Sequence, residues 1–314
     1  IDMWLVSLAI VGAGGVCVRK FSPGFHMTEV FVPETGTNRS VLIHVPEDID
    51  LISIRRAPAM VAFHGWHSNP WYFDRLAGLS KTGSKYGIVT AFGFGRPPAS
   101  KESPICCPKG CDLVCCTEGD KLDILRPCAW HTEESDDVAY AKAIAKMLER
   151  DTCVDPGRVF ATGLSNGGSM ASLVACKASD VFAGVAQMSG ALPQVKCDRD
   201  KPIAFMAFCG LDDDSCTPTS NQTVQQFAVM NNCTEPFRAT FESATTKCRA
   251  ARGCEGGVFV EQCFIEGLGD EVPGHDRVKS LHPGEKKQAP TNIDAIVYSY
   301  NRLSIISRKR YSDD

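Results

Sequence analysis

Residues 154–170 read Val-Asp-Pro-Gly-Arg-Val-Phe-Ala-Thr-Gly-Leu-Ser-Asn-Gly-Gly-Ser-Met, and this stretch decides the fold. The run 158–162 suits a strand, and the residues from 169 onward carry apolar positions at 170, 173 and 174, as a helix does. Between them, Ser165 lies in a Gly-x-Ser-x-Gly pentapeptide, which is typical of a sharp strand-to-helix turn that exposes a nucleophilic serine. Both flanks favour this turn over a glycine-rich loop with an incidental serine.

The composition favours one domain. A length of 314 residues with 44% apolar content is enough for a full core, and no linker or internal repeat divides the chain. We therefore predict a single domain over residues 16–314, acting as a monomer. A net charge of −4, with both signs interspersed, argues against a nucleic-acid partner and against a membrane partner.

Alternating apolar runs predict the architecture. Strands are predicted at 41–46, 59–64, 87–92, 183–188, 203–209 and 258–265, and helices at 134–150 and 292–303. Continuous apolar strands separated by helices indicate a mainly parallel sheet covered on both faces. The prediction is a three-layer αβα sandwich.

Cysteine usage indicates the compartment. Sixteen cysteines in one chain predict a disulfide-rich protein from an oxidising environment, with a Cys-rich insertion near residues 96–130. Zinc bound by the group from Cys106 to Cys116 is the rival interpretation, but its spacing lacks paired CxxC motifs. The apolar run 3–11, followed by small residues, predicts a signal peptide over residues 1–15 and hence secretion.

A serine that transfers acyl groups also needs an oxyanion hole. The segment His64-Gly65-Trp66 follows a predicted core strand, so we expect the N–H groups of Trp66 and Asn166 to be its donors. His64 precedes the serine on that strand and is expected to be structural. His67 is either a loop histidine or a substrate contact.

Several segments together resemble a known family. They are Arg39-Ser-Val-Leu-Ile-His-Val-Pro, Ala62-Phe-His-Gly-Trp, Asp136-Asp-Val-Ala-Tyr, the 154–171 stretch and Asp180-Val-Phe-Ala-Gly-Val-Ala-Gln-Met-Ser-Gly. They resemble the secreted polyhydroxybutyrate depolymerase and feruloyl esterase-like branch of the α/β-hydrolases, of the carbohydrate esterase family 1 type. The resemblance covers roughly residues 39–303 and implies the α/β-hydrolase fold.

The same resemblance implies the other two members of a catalytic triad. Its acid lies in a His-Gly-Thr-x-Asp motif, matched here by Cys209-Gly-Leu-Asp-Asp, which places the acid at Asp213. Asp212 and Asp214 flank this position, and a solvated acidic loop is the alternative. The family histidine falls on Asp270, and an aspartate is a poor proton acceptor for serine near neutral pH.

Two later histidines could replace the missing base. His275 is the predicted base because it is nearer the strand end, and His282 is the alternative. The expected protein is an extracellular serine esterase that forms an acyl-enzyme and needs no metal or cofactor. Its substrate is an ester on a polysaccharide, a polyester or a small molecule, with a feruloyl, acetyl or hydroxyalkanoate acyl group. The alternatives are a catalytically impaired homologue that binds such surfaces, or a serine peptidase.

Overall fold

The computed structural model describes residues 19–47, 56–66, 68–96, 129–130, 136–193, 195–197, 200–214, 216–275 and 292–307. In these residues the strands are β1 Gly24–Val32, β2 Thr37–Val45, β3 Ala57–Phe63, β4 Val89–Gly93, β5 Val154–Leu164, β6 Gly184–Met188, β7 Ala204–Gly210, β8 Arg238–Glu242, β9 Thr246–Ala251 and β10 Val260–Ile265. The helices are α1 Pro70–Ala77, α2 Leu79–Tyr86, α3 Asp136–Asp151, α4 Asn166–Lys177, α5 Cys216–Met230 and α6 Ala295–Leu303, with a 3-10 turn at Glu255–Gly257. None of the helices described here has the length and apolarity that a membrane crossing requires.

All strands form one sheet in the order β1-β2-β4-β3-β5-β6-β7-β10-β9-β8. The six central strands, β4-β3-β5-β6-β7-β10 in sheet order, are parallel to one another. Antiparallel pairs add β2 and β1 beyond β4, and β9 and β8 beyond β10. The prediction of a mainly parallel sheet is confirmed. Because the central strands are parallel, the turns that follow β3, β5, β7 and β10 lie at one edge, where open α/β sheets bind their ligands.

Helices cover both faces of the sheet. Helices α3, α4 and α5 pack on one face, where Tyr140, Met170 and Phe227 are buried in one apolar cluster. Helices α1, α2 and α6 pack on the other face, where Phe73, Leu79 and Leu303 belong to a second cluster. The predicted three-layer αβα sandwich is therefore confirmed.

Each strand and helix predicted from apolar periodicity is present, with shifted ends. Sequence reasoning missed β1, β8, β9, α1, α2 and α5. Helix α5 is rich in threonine and glutamine, so it lacks a clear apolar stripe. Strand β1 exposes alternate residues at the end of the sheet, including Phe25 and Met27, so its pattern is not that of a buried strand.

Disulfides link several of these elements. The pairs are Cys176–Cys197, Cys209–Cys216, Cys233–Cys254 and Cys248–Cys263, and Cys153 is also disulfide-bonded. Among the cysteines that the structure describes, none is free. The disulfide prediction is confirmed for this part of the chain. The cysteines of the predicted insertion, from Cys106 to Cys128, lie outside the described residues.

Candidate active site

Ser165 occupies a strained turn between β5 and α4. Its φ of 56° and ψ of −121° lie outside the conformations that side chains favour, and its N–H donates to Met188 O at 2.9 Å. A Cβ added to Gly163 would press against the carbonyl oxygen of Gly167, and one added to Gly167 would press against that of Phe63. Only glycine fits at these two positions, so the predicted sharp turn is present and Ser165 stays partly exposed.

The turn after β3 lies beside this serine. A Cβ built on Gly65 would be 3.7 Å from the Cβ of Ser165, and Trp66 follows with 65% of its surface exposed. Asn166 is the first residue of α4, a position whose N–H has no acceptor within the helix. The structure thus places Trp66 and Asn166 on turns that flank Ser165, and their role as oxyanion donors stays a prediction.

His64 is structural, as predicted. Its Nε2 accepts a hydrogen bond from the N–H of Gly95 at 3.0 Å, and its Nδ1 donates to Gly65 O at 2.8 Å. Complete burial lowers the pKa of His64 to about 4, so the ring is neutral at pH 7. Both ring nitrogens are used, and His64 cannot also accept the serine proton. His67 lies outside the described residues.

Trp130 joins the two halves of this site, and sequence reasoning missed it. Its N–H donates to Asn166 Oδ1 at 2.7 Å, its carbonyl accepts from Asn166 Nδ2 at 3.2 Å, and its indole Nε1 donates to His64 O at 2.8 Å. Ala129 exchanges backbone hydrogen bonds of 2.9 Å with Arg96, so the two ends of the predicted insertion meet here. No sequence pattern could have linked Trp130 to Asn166, because 36 residues separate them.

Asp213 lies on the turn between β7 and α5, at the same edge of the sheet as Ser165. Its Oδ1 accepts from the N–H of Cys216 at 3.3 Å, and its own N–H donates to Gly210 O at 3.2 Å. Asp213 is half-buried, whereas Asp212 and Asp214 are exposed. The strand-end position agrees with the predicted acid, and the pairing of Asp213 with a histidine stays a prediction.

Of the two candidate bases, His275 lies among the described residues and His282 lies outside them, so the identity of the base stays a prediction. Asp270 lies on the turn after β10, the neighbour of β7, where the family resemblance places the base. The Nε2 of His275 instead lies 3.4 Å from Asp294 Oδ1, and its ring packs against Gly78.

The cause of this placement lies in the segment before His275. The N–H of Ala295 donates to Pro273 O at 3.0 Å, which fixes residues 272–275 against the start of α6. Asp294 is the N-cap of that helix and accepts from the Val297 N–H at 3.0 Å. Burial alone would raise the pKa of Asp294, but the hydrogen bonds from His275 and Val297 hold it below its usual value.

No group of three or more metal-ligating side chains occurs within the part of the chain described here.

The prolyl oligopeptidase family matches residues 129–207, which include the serine turn. Feruloyl esterase B of Piromyces equi is 31% identical over 269 residues, which cover 77% of this chain and 45% of the relative. Feruloyl esterase C of Emericella nidulans is 34% identical over 107 residues, covering 34% of this chain and 40% of the relative. The chain therefore spans less than half of the length of these two relatives.

Solved structures agree on the fold. An acetyl xylan esterase from Aspergillus awamori superposes with a TM-score of 0.54 at 15% identity, covering 80% of this chain and 95% of the other. A dienelactone hydrolase-like phosphotriesterase from metagenomic libraries gives 0.54 at 12% identity, covering 90% and 99%. Sheet order, serine turn and these similarities define the α/β-hydrolase fold. In sequence the chain is similar to the two feruloyl esterases named above. The polyhydroxybutyrate depolymerase part of the expected resemblance stays a prediction.

Proposed function

We propose that this protein is a carboxylic ester hydrolase with Ser165 as its nucleophile. The observation that carries this proposal is the strained Ser165 turn, which lies beside the turn of Gly65 and Trp66. The two feruloyl esterase relatives favour a hydroxycinnamate as the acyl group, carried on a polysaccharide or a small alcohol. Acetyl and hydroxyalkanoate esters are the other candidates.

The proposed reaction passes through an acyl-enzyme. Ser165 Oγ attacks the ester carbonyl and gives its proton to the base, while the N–H groups of Trp66 and Asn166 stabilise the negative oxygen. The base returns that proton to the leaving alcohol, and a water then releases the acid in the same way. His275 is the proposed base and Asp213 its partner. His275 must therefore give up its hydrogen bond to Asp294 and form one to Ser165.

Labelling of the serine tests the proposed nucleophile. A fluorophosphonate probe should modify the folded protein at Ser165, because only a serine with an accessible, activated hydroxyl reacts. Ser165→Ala should abolish labelling and hydrolysis of methyl ferulate. Ser169→Ala is the matched control, because Ser169 lies one helical turn further on and its Oγ accepts from the Ala191 N–H at 3.2 Å. Labelling that persists in Ser165→Ala would remove the serine from the proposal.

A catalytically impaired homologue is the second candidate. Two observations favour it: Asp270 occupies the strand end where the family resemblance expects a histidine, and His275 pairs with Asp294. Such a protein would bind a feruloylated polysaccharide without releasing ferulate. Turnover of methyl ferulate above the buffer rate by wild-type protein, lost in Ser165→Ala, would exclude this candidate.

We also propose that the protein is extracellular. The disulfides of the described residues support this location, because such bonds persist in oxidising compartments. The signal peptide over residues 1–15 and the monomeric state stay predictions.

A further inference from the structure

A disulfide closes the turn that carries Asp213. Cys209 lies near the end of β7 and Cys216 is the first residue of α5, 7 residues later. The two cysteines are only 0% and 1% exposed, while Asp213 between them is half-buried. The bond therefore joins a central strand to a helix that packs on it, and the acid lies on the short span between these fixed ends.

The backbone of one of these cysteines also holds the carboxylate. The N–H of Cys216 donates to the carbonyl oxygen of Asp213 at 3.0 Å and to its Oδ1 at 3.3 Å. On the other side of the turn, the Asp213 N–H donates to Gly210 O at 3.2 Å. Any shift of Cys216 relative to β7 would move the donor that orients the Asp213 carboxylate.

The neighbouring turn leaves little room for a compensating movement. The N–H of Asp212 donates to Leu268 O at 2.9 Å, and the N–H of Leu211 donates to Ile265 O at 2.8 Å. A Cβ on Gly210 would collide with the carbonyl oxygens of Leu268 and Gly269. The turns after β7 and β10 therefore pack directly on each other.

We propose that the Cys209–Cys216 disulfide positions the triad acid, so that the carboxylate of Asp213 is held in place for the imidazole of the base. This inference rests on the proposed function. The two cysteines are positioning residues, because they act through Asp213 and do not touch the substrate.

The test removes this disulfide and compares it with a distant one. Cys209→Ala/Cys216→Ala should lower kcat for methyl ferulate by roughly 10- to 100-fold with KM little changed, because small misplacements of catalytic groups are costly. The acid limb of the kcat/KM profile should also move to lower pH, because an imidazole further from a carboxylate loses its proton more easily. A merely structural bond would not shift that limb.

Cys233→Ala/Cys254→Ala is the matched control. This disulfide spans 21 residues, compared with 7 for Cys209–Cys216, so it constrains the unfolded chain more. Asn231, two residues before Cys233, hydrogen-bonds to the backbone of Ile203 just before β7. The Cys233–Cys254 disulfide therefore lies at the opposite edge of the sheet from Asp213. The control variant should lose more thermal stability, yet keep kcat and the pH profile.

The outcomes separate the two proposals. An active wild type whose folded Cys209→Ala/Cys216→Ala variant keeps kcat and the pH profile would overturn the positioning role alone. An inactive wild type would overturn the proposed function and this inference with it. If the double variant does not fold, the disulfides of the wild-type protein are reduced stepwise with increasing dithiothreitol. Mass spectrometry then identifies which disulfide is reduced at each step. Esterase activity should fall as the Cys209–Cys216 disulfide is reduced. A loss of activity that accompanies reduction of Cys233–Cys254 instead would refute the positioning role of Cys209–Cys216.

Discussion

At the scale of single residues, the site divides into positions fixed by local chemistry and one that is not. The conformation of Ser165 follows from the glycines around it, since a Cβ at Gly163 or Gly167 would collide with backbone. The neutrality of His64 follows from its burial and its two hydrogen bonds. The base has no comparable local signal, because its position depends on how the chain returns to the sheet after β10.

The identity of the base is a prediction at this scale. If His275 leaves Asp294 and hydrogen-bonds to Ser165 during the reaction, His275→Ala should lower turnover of methyl ferulate by roughly 10³-fold or more. His282→Ala is the control and should keep wild-type turnover; loss in that variant alone would transfer the role to His282. If wild-type turnover is at background, Asp270→His should restore it, because it places an imidazole where the resemblance expects the base.

At the scale of elements, a buried ion pair ties α3 to the sheet near the site. Arg39 of β2 donates to Asp137 Oδ1 of α3 at 2.5 Å and to Phe94 O at 2.7 Å, and its guanidinium lies 3.6 Å from the ring centroid of Tyr140. Arg96 lies 3.7 Å from the same carboxylate oxygen. Because Arg96 also pairs with Ala129, this network supports the segment that carries Trp130.

Removing the acid of this network should destabilise the whole sheet end. Asp137→Asn leaves the buried Arg39 without its counter-charge, and we expect a loss of about 3–5 kcal/mol in the free energy of unfolding. Asp136→Asn is the control. Asp136, like Asp137, pairs with Arg96, but its side chain is 34% exposed, so the expected loss in the free energy of unfolding is below about 1 kcal/mol. Urea unfolding measures both. Equal losses for the two variants would contradict the importance of burial here.

At the scale of the whole molecule, stability should depend on the protonation of His64. Its pKa is about 4 in the folded protein and 6.5 as the ordinary value, so the unfolded chain binds the extra proton first as pH falls. The contribution of neutral His64 to the free energy of unfolding is complete above pH 6.5 and is lost as pH falls from 6.5 towards 4. The difference corresponds to ~3 kcal/mol.

Urea unfolding at pH 7 and at about pH 4.5 measures this dependence, with other acidic groups cancelled by comparison between variants. The wild type should lose more stability between these two conditions than His64→Asn does. A wild type and a His64→Asn variant with the same pH dependence would show that His64 does not titrate as proposed.

The sequence by itself determined the parallel core and the serine turn, because apolar periodicity and glycine sterics are local properties of residues 154–177 and of the other buried strands. It also determined that the cysteines of the described part form disulfides. Only the tertiary structure decided which cysteines pair and that Trp130 hydrogen-bonds to Asn166 and His64. It alone also decided that the hydrogen-bond partner of His275 Nε2 is Asp294 Oδ1. These contacts join segments far apart in the chain, so they depend on where the sheet and α6 place each turn.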